Sequence, residues 1–333
     1  MRAILLGMIL CLTLAAKGLD VYFIDVEGGQ ATLMVAPSGQ SLLVDTGWAG
    51  FNGRDANRIA AAAKLAGIKQ IDYLVITHYH ADHVGGVADL AARLPIKHFV
   101  DHGPNSETGA EPDARFKSYA DARATTPRRV VAPGQKIPLQ GIEVEILAAN
   151  GNVTKSPVKG GGAPNPLCAS VQRVADDTSE NSHSIGMLIR HGKFRMLNLG
   201  DLTWNKELDL VCPNNLIGNV DVYLTTHHGS NGSAPAAIVH ALRPRVAIMN
   251  NGATKGGVPA NWDVVRNSPG LLDLWQLHFA VAGGKDHNVD ERYIANPDPD
   301  PAKDQGHWIK VSAEPDGSFS VSNSRNKLLK SYK

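Results

Sequence analysis

Residues 74–86 read LVITHYHADHVGG. An apolar run, Leu74-Val75-Ile76, ends in three imidazoles and a carboxylate: His78, His80, Asp82 and His83. Side chains on a strand alternate between faces, so these four groups cannot converge from a regular strand. They can converge from a loop that leaves a strand end. The chain must therefore bury a strand that delivers this loop to one edge of the fold. Imidazoles suit zinc, iron and similar ions, and a carboxylate adds a harder ligand. The spacing of two lets His78 and His80 share one ion, while Asp82 and His83 turn toward a second. Gly85-Gly86 permits close backbone approach and an unusual turn.

The surrounding pattern fits such a frame. Segments 19–26, 30–36 and 41–44 are rich in β-branched and aromatic residues and form an opening meander around turn residues. An Ala-rich helix over 57–66 closes at Gly67, a strand over 71–76 precedes the histidine loop, and a short helix over 86–94 leads to a strand at 96–100. This strand–helix–strand rhythm is α/β. Segment 103–127 reads as a polar loop with a short helix on the rim, and 158–165 as a Gly/Pro-rich surface loop. Further strands are expected at 142–147, 185–190, 194–199, 220–225 and 246–250, with a helix over 234–242. Segment 286–306 reads as extended, and 308–311 and 319–321 as edge strands.

Length and charge narrow the classes. The chain has 333 residues, with 33 basic against 32 acidic side chains. That balance gives no sign of a nucleic-acid surface or a polybasic membrane patch. Residues 1–16 have one basic residue, Arg2, then an apolar stretch ending in small residues, which reads as a secretory signal within residues 1–18. The run is shorter than the roughly 17–20 residues of a permanent span. The expected location is secreted or periplasmic, with residues 19–333 forming a single domain and a C-terminal extension from about 280. Cys168 and Cys212 would then be either one disulfide or two separate buried thiols. Neither lies in a CxxC pair, so a thiolate metal site has little support.

HYHADH matches the HxHxDH motif of the metallo-β-lactamase superfamily. FIDVEGGQATLM, SLLVDTG, ITHYHADHVGG, LNLGD and TTHHGS follow in that family's order between about residues 19 and 251. The last motif most resembles the extracellular domain of ComEC/Rec2 competence proteins and their soluble relatives. The resemblance implies a four-layer αββα sandwich, two mixed β-sheets flanked by helices, with a dinuclear site at one edge. It implies that His78 and His80 hold the first metal, Asp82 and His83 the second, and that Asp201 bridges. One of His227 and His228 closes the second metal, with His227 preferred because it comes straight off the strand. The remaining ligand of the first metal would be His183 or His102, or neither, which would leave that metal under-coordinated. Asp45 would support the site by hydrogen bonds to the motif loop.

Two divalent ions, zinc first and manganese or iron as alternatives, would share a water and provide a hydroxide nucleophile at neutral pH. Asp82 would orient it and Asp201 hold both ions, the two catalytic carboxylates. Ser230 and Asn231 could line an anion pocket through backbone N–H groups, and Lys255 is a candidate substrate contact. The resemblance to competence-type domains points to a phosphodiester. A small-molecule lactone or other acyl ester is the alternative, as is a non-enzymatic binding protein on the same scaffold. DNA is disfavoured because the only dense basic pair is Arg128-Arg129.

Overall fold

The computed structural model describes residues 18–333; the expected signal peptide lies almost wholly outside them. Strands β1 (Leu19–Phe23), β2 (Thr32–Val35) and β3 (Ser41–Val44) form the expected meander. Helix α1 (Arg54–Leu65), β4 (Tyr73–Val75), α2 (Ala81–Val84), α3 (Val87–Ala91) and β5 (Phe99–Asp101) complete the first α/β unit. Helix α4 (Ala110–Ala122) and β6 (Arg128–Val130) follow. The second half holds β7 (Lys136–Ile137), β8 (Glu143–Ala149), β9 (Asn152–Val153), β10 (Ala163–Pro164), β11 (Gly186–His191) and β12 (Phe194–Asn198). It continues through α5 (Trp204–Val211), β13 (Asn214–Asn215), β14 (Val222–Leu224), α6 (Ala236–Leu242), β15 (Val246–Met249), α7 (Pro259–Arg266), β16 (Asp273–His278) and β17 (Ile294–Asn296). Strands β18 (Ile309–Ala313), β19 (Phe319–Asn323) and β20 (Leu329–Tyr332) end the chain.

Two nine-stranded sheets result, ordered β20-β19-β18-β1-β2-β3-β4-β5-β6 and β17-β16-β15-β14-β12-β11-β8-β7, with β9 on β8. Both mix parallel and antiparallel pairs. Period-two alternation sorts their side chains into layers. Val21, Phe23, Leu42, Val44 and Val75 face Ile146, Met187, Ile189, Val222 and Ile248 across the inter-sheet core. Tyr22, Leu33, Leu43 and Leu74 face outward onto Ala56, Ile59 and Ala63 of α1. Leu188, Leu197, Tyr223 and Ala247 pack on Leu210, Ile238 and Val265 of α5, α6 and α7. This is the αββα sandwich.

Some local expectations change. The rim segment expected to hold a short helix carries the 13-residue α4. Residues 308–321 are not edge strands: β18 pairs with both β1 and β19, and β20 takes the edge. The alternation in IKVSA and FSVSN, buried at every second residue, fits a strand with one face in the core. Cys168 and Cys212 form a disulfide that ties the 166–169 turn to the end of α5. Among the described residues no helix is long and apolar enough to cross a membrane.

Candidate metal centre

The parallel strands of both sheets end at one edge, where α/β folds commonly gather their functional loops. Asp45 follows β3, residues 77–83 follow β4, His102 follows β5, Asp201 follows β12, His227-His228 follow β14 and Asn250 follows β15. The HYHADH loop is held tightly. A Cβ on Gly86 would run into the Thr46 carbonyl, and one on Gly85 into the Ala49 amide, so only glycine fits either position. Ile185 donates to the Thr77 carbonyl at 2.9 Å and pins the two sheets together beside the site.

Asp82, His83, Asp201 and His228 converge, all buried. His83 Nε2 lies 3.2 Å from Asp82 Oδ2, 3.2 Å from Asp201 Oδ2 and 3.2 Å from His228 Nε2. His228 Nε2 lies 3.2 Å from Asp82 Oδ2 and 3.3 Å from Asp201 Oδ2. Hydrogen bonds alone do not explain this, because each ring nitrogen carries at most one proton and meets three partners. Four donors about 2.0–2.1 Å from a common centre lie about 3.3 Å apart in a tetrahedron. These five contacts match the edges of such a tetrahedron, so the donor set fits a divalent ion.

The other face of each imidazole supports the same geometry. Asp45 Oδ2 meets His83 Nδ1 at 2.7 Å and accepts the Thr77 hydroxyl at 2.7 Å, while Asp45 Oδ1 accepts the Thr77 amide at 2.7 Å. Thr77 Oγ1 in turn meets His78 Nδ1 at 3.1 Å. Asn250 meets His228 Nδ1 at 3.1 Å. Glu107 Oε1 meets His80 Nε2 at 3.0 Å. Each ring therefore has one nitrogen engaged by the protein, which fixes its orientation and leaves the other for an ion. His78 Nε2 and Asp201 Oδ1 are buried without a hydrogen-bond partner among the described residues. Asp201 thus offers one oxygen to the tetrahedron and has a second unused, as a carboxylate shared between two ions requires.

Burial works against charge on all these groups, and their neighbours decide the outcome. Burial and the charge of His83 push the His78 pKa well below the usual imidazole range, leaving a neutral donor. Burial disfavours a protonated His83, yet Asp201, Asp82 and Asp45 outweigh it and raise its pKa. Burial likewise disfavours ionised Asp82 and Asp201, but their histidines hold both carboxyls well below the ordinary value. The centre is a charge-dense cluster whose carboxylates stay ionised.

Two expectations need revision at this point. His228, not the preferred His227, enters the tetrahedron. Thr226–Gly229 turns with both His227 (φ 55°) and His228 (φ 57°) left-handed, and this double twist swings the second ring inward. His227 stays at the rim, its side chain 22 % exposed and its Nε2 3.6 Å from Asp201 Oδ2. The two candidates for the third first-metal ligand each have one ring nitrogen engaged by the protein, as His78 and His80 do, and His102 Nδ1 is buried without a partner among the described residues. His102 Nε2 bonds Glu180 Oε2 at 3.0 Å, and His183 Nδ1 bonds Asn150 Oδ1 at 3.0 Å. Ser230 spends its amide on the His227 carbonyl at 2.7 Å, and with Asn231 it lines a small cavity of about 140 Å³ beside Trp204.

Glu180 and Glu107 were not evident in the sequence. Buried Glu180 accepts the Tyr79 amide at 3.0 Å through Oε2 and the Ser106 amide and hydroxyl at 2.6 Å through Oε1. Burial would raise its pKa, but the bonds from His102 and Ser106 hold it down to about 2. It clasps loop 105–107 onto the histidine loop. Both glutamates lie in polar segments with no periodic pattern, so nothing local marked them. A second Asp/His group, Asp25, His278 and Asp304, also has metal-like spacing. Its cation is already supplied: Arg58 bonds Asp25 Oδ2 at 2.8 Å and Asp304 Oδ2 at 2.5 Å.

Comparison with known proteins gives partial likenesses. The family model described as the metallo-beta-lactamase superfamily matches residues 24–176. The chain is 26 % identical over 230 residues to Recombination protein 2 of Haemophilus influenzae, covering 69 % of this chain and 24 % of that protein. It is 28 % identical over 143 residues to a hydroxyacylglutathione hydrolase of Acidiphilium cryptum, covering 42 % of this chain and 48 % of that one. The chain therefore spans about a quarter to a half of the length of these relatives. Among solved structures, the metallo-beta-lactamase fold protein YhfI from Bacillus subtilis aligns with a TM-score of 0.45 at 14 % identity, over 78 % of this chain and 96 % of that one.

Proposed function

We propose, from the match of residues 24–176 to the metallo-beta-lactamase superfamily model, that the chain is a member of that superfamily and a dinuclear metal-dependent hydrolase of a small organic ester. The observation that carries this reading is the tetrahedron of Asp82, His83, Asp201 and His228, with the second nitrogen of each ring engaged by the protein. Asp82, His83, His228 and one Asp201 oxygen would hold one ion. His78 Nε2, the free nitrogen of His80 and the other Asp201 oxygen would hold the second, with His102, whose Nδ1 is buried and unpartnered among the described residues, or His183 as the further imidazole. Zinc suits this donor set best, with manganese or iron as alternatives.

When bound, the ions supply Lewis acidity, activating a water and polarising the scissile carbonyl. The chain's own groups do the rest. Asp45, Thr77 and Asn250 keep the rings in one orientation. Asp82 orients the attacking water and takes its proton. His227, whose pKa burial lowers, stands neutral at the rim, where it can hydrogen bond the substrate. Export to a secreted or periplasmic location accompanies this reading, supported by the Cys168–Cys212 disulfide.

A carboxylic ester or thioester is favoured over a nucleic acid. Hydroxyacylglutathione hydrolases recur among the relatives. Arg128, half of the densest basic pair, is bound to Asp101 at 2.6 Å and to the Gly103 carbonyl at 3.0 Å, so it is not free for phosphates. A phosphodiester is the second reading, resting on the likeness to Recombination protein 2 over 69 % of the chain. Zinc-loaded protein and its Asp82→Ala variant, assayed on 4-nitrophenyl butyrate, a lactone, a thioester, bis-4-nitrophenyl phosphate and a cephalosporin, separate these readings. Turnover of the acyl esters, abolished in the variant, is expected. Turnover of the phosphodiester alone would replace the substrate class, and no turnover of any with about two ions bound would leave a binding protein.

A further inference from the structure

The mouth of the centre carries a cation that the ligand set does not need. Lys255 reaches over the site, and its ammonium pairs with Asp82 Oδ2. It also stands over the Trp48 ring, 5.1 Å from the centroid. Trp48 is itself fixed, its amide donating to buried Asp55 at 2.8 Å. Asp82 Oδ2 is a corner of the tetrahedron, so a bound ion neutralises that carboxylate. Lys255 is then an uncompensated ammonium, still one side chain away from the reacting centre.

The loop that presents Lys255 is built rigidly. Gly252 donates to the Lys255 carbonyl at 2.8 Å and closes a tight turn. Gly257 donates to the His228 carbonyl at 3.0 Å, and Val258 to the Gly229 carbonyl at 3.0 Å. The turn that aims His228 and the turn that aims Lys255 are thus bonded to each other through main chain. Gly28 packs on the other side, where any Cβ would crowd Lys255 Cβ. The main chain that carries Lys255 is thereby fixed relative to the ligands, and its half-buried side chain extends from there over the site.

We propose that Lys255 is a specificity-determining residue that takes an anionic group, a carboxylate or phosphate, on the ester substrate, with the Trp48 ring walling that side of the cleft. A half-buried ammonium prefers such a group over a neutral one by a charge-assisted hydrogen bond. The substrates selected are therefore acidic esters, in which the charged group lies a few bonds from the scissile carbonyl. This deepens the hydrolase reading and rests on it.

The test compares two esters that differ in charge, 4-nitrophenyl hydrogen glutarate and 4-nitrophenyl butyrate, on zinc-loaded wild type, Lys255→Gln and Lys255→Arg. The ratio of kcat/KM for the acidic over the neutral ester should fall about tenfold or more in Lys255→Gln and largely recover in Lys255→Arg. Metal content is measured in each, so that loss of an ion is not read as loss of recognition. Calorimetric titration with glutarate supplies a readout without turnover, and its Kd should weaken about tenfold or more in Lys255→Gln. An unchanged ratio and an unchanged glutarate Kd would overturn the proposal. If wild type cleaves neither ester, the hydrolase reading fails, and the glutarate titration alone decides whether Lys255 binds an anion.

Discussion

At the scale of single residues, the choice between two adjacent histidines shows what a motif can and cannot say. TTHHGS places two imidazoles after a strand, and either one satisfies the pattern. The backbone decides, because two successive left-handed residues turn His228 rather than His227 toward Asp201. Replacing His228 by Ala should reduce the ion content from about two per chain to about one, measured by mass spectrometry on dialysed protein. Replacing His227 by Ala should leave the ion content intact and affect turnover instead. The reverse pattern would show that His227 rotates inward on loading. Asp45 acts one bond further out, through His83 Nδ1 and Thr77. Asp45→Ala should weaken metal binding by roughly 10–100-fold, read by competition with a chromophoric chelator, and unchanged affinity would confine Asp45 to its own turn. The contiguous ligands in HYHADH were legible because one short segment holds them all. Glu107, Glu180 and Asn250 were not, because their partners are brought by other strands.

At the scale of elements, the strands were legible where one face is buried and the other packs on helices, as in β1 and β11. The ends were less so, since strand ladders stop where hydrogen-bond partners run out, not where hydrophobicity does: segment 71–76 pairs fully only at Tyr73–Val75. The rim helix α4 was underread because most of its surface faces solvent, with Tyr119 its one fully buried residue. Helix α5 hides a feature no pattern announces. Its Glu207 is fully buried behind the His227-His228 turn and accepts the Ala234 amide. Burial pushes its pKa from an ordinary 4.5 to about 8. Between those values the unfolded chain releases the proton and the folded chain keeps it. Wild-type stability should therefore fall as pH rises through that window, by about 1.4 kcal/mol per pH unit where the difference is complete. Glu207→Gln removes the titration. Its melting temperature relative to wild type should rise steadily from pH 5 to pH 8 in scanning calorimetry. Parallel melting curves would mean that Glu207 is ionised in the folded protein.

At the scale of the whole molecule, the two halves each supply most of one sheet, but the first sheet is finished only by the chain's last three strands. β18 pairs with β1 along all five residues from Leu19 to Phe23, and Asp304 bonds Arg58 of α1 on the way there. The tail looked peripheral in sequence because its Pro/Asp-rich lead-in, 286–306, has no packing pattern and its strands are short. Their partner lies almost three hundred residues earlier, a pairing that local signals do not carry. Ile309, Val311, Ala313, Phe319, Val321 and Tyr332 all enter the inter-sheet core. Burying the large apolar side chains among them contributes about 1.5–3 kcal/mol each. Their sum rivals the roughly 5–15 kcal/mol by which a typical protein is stable. A chain ending at residue 306 should therefore lack a cooperative melt and near-ultraviolet dichroism. Added zinc should not restore them, because every residue of the metal centre is still present and the loss lies in the core. A chain ending at residue 326 removes only β20, including Tyr332 and its bonds to Asp273 at 2.7 Å and Trp275 at 3.2 Å. It should fold with a melting temperature lowered by the loss of one buried aromatic, about 3–5 kcal/mol. A cooperative, metal-binding protein ending at residue 306 would show instead that β1 tolerates an open edge and that the tail is an accessory to the sandwich.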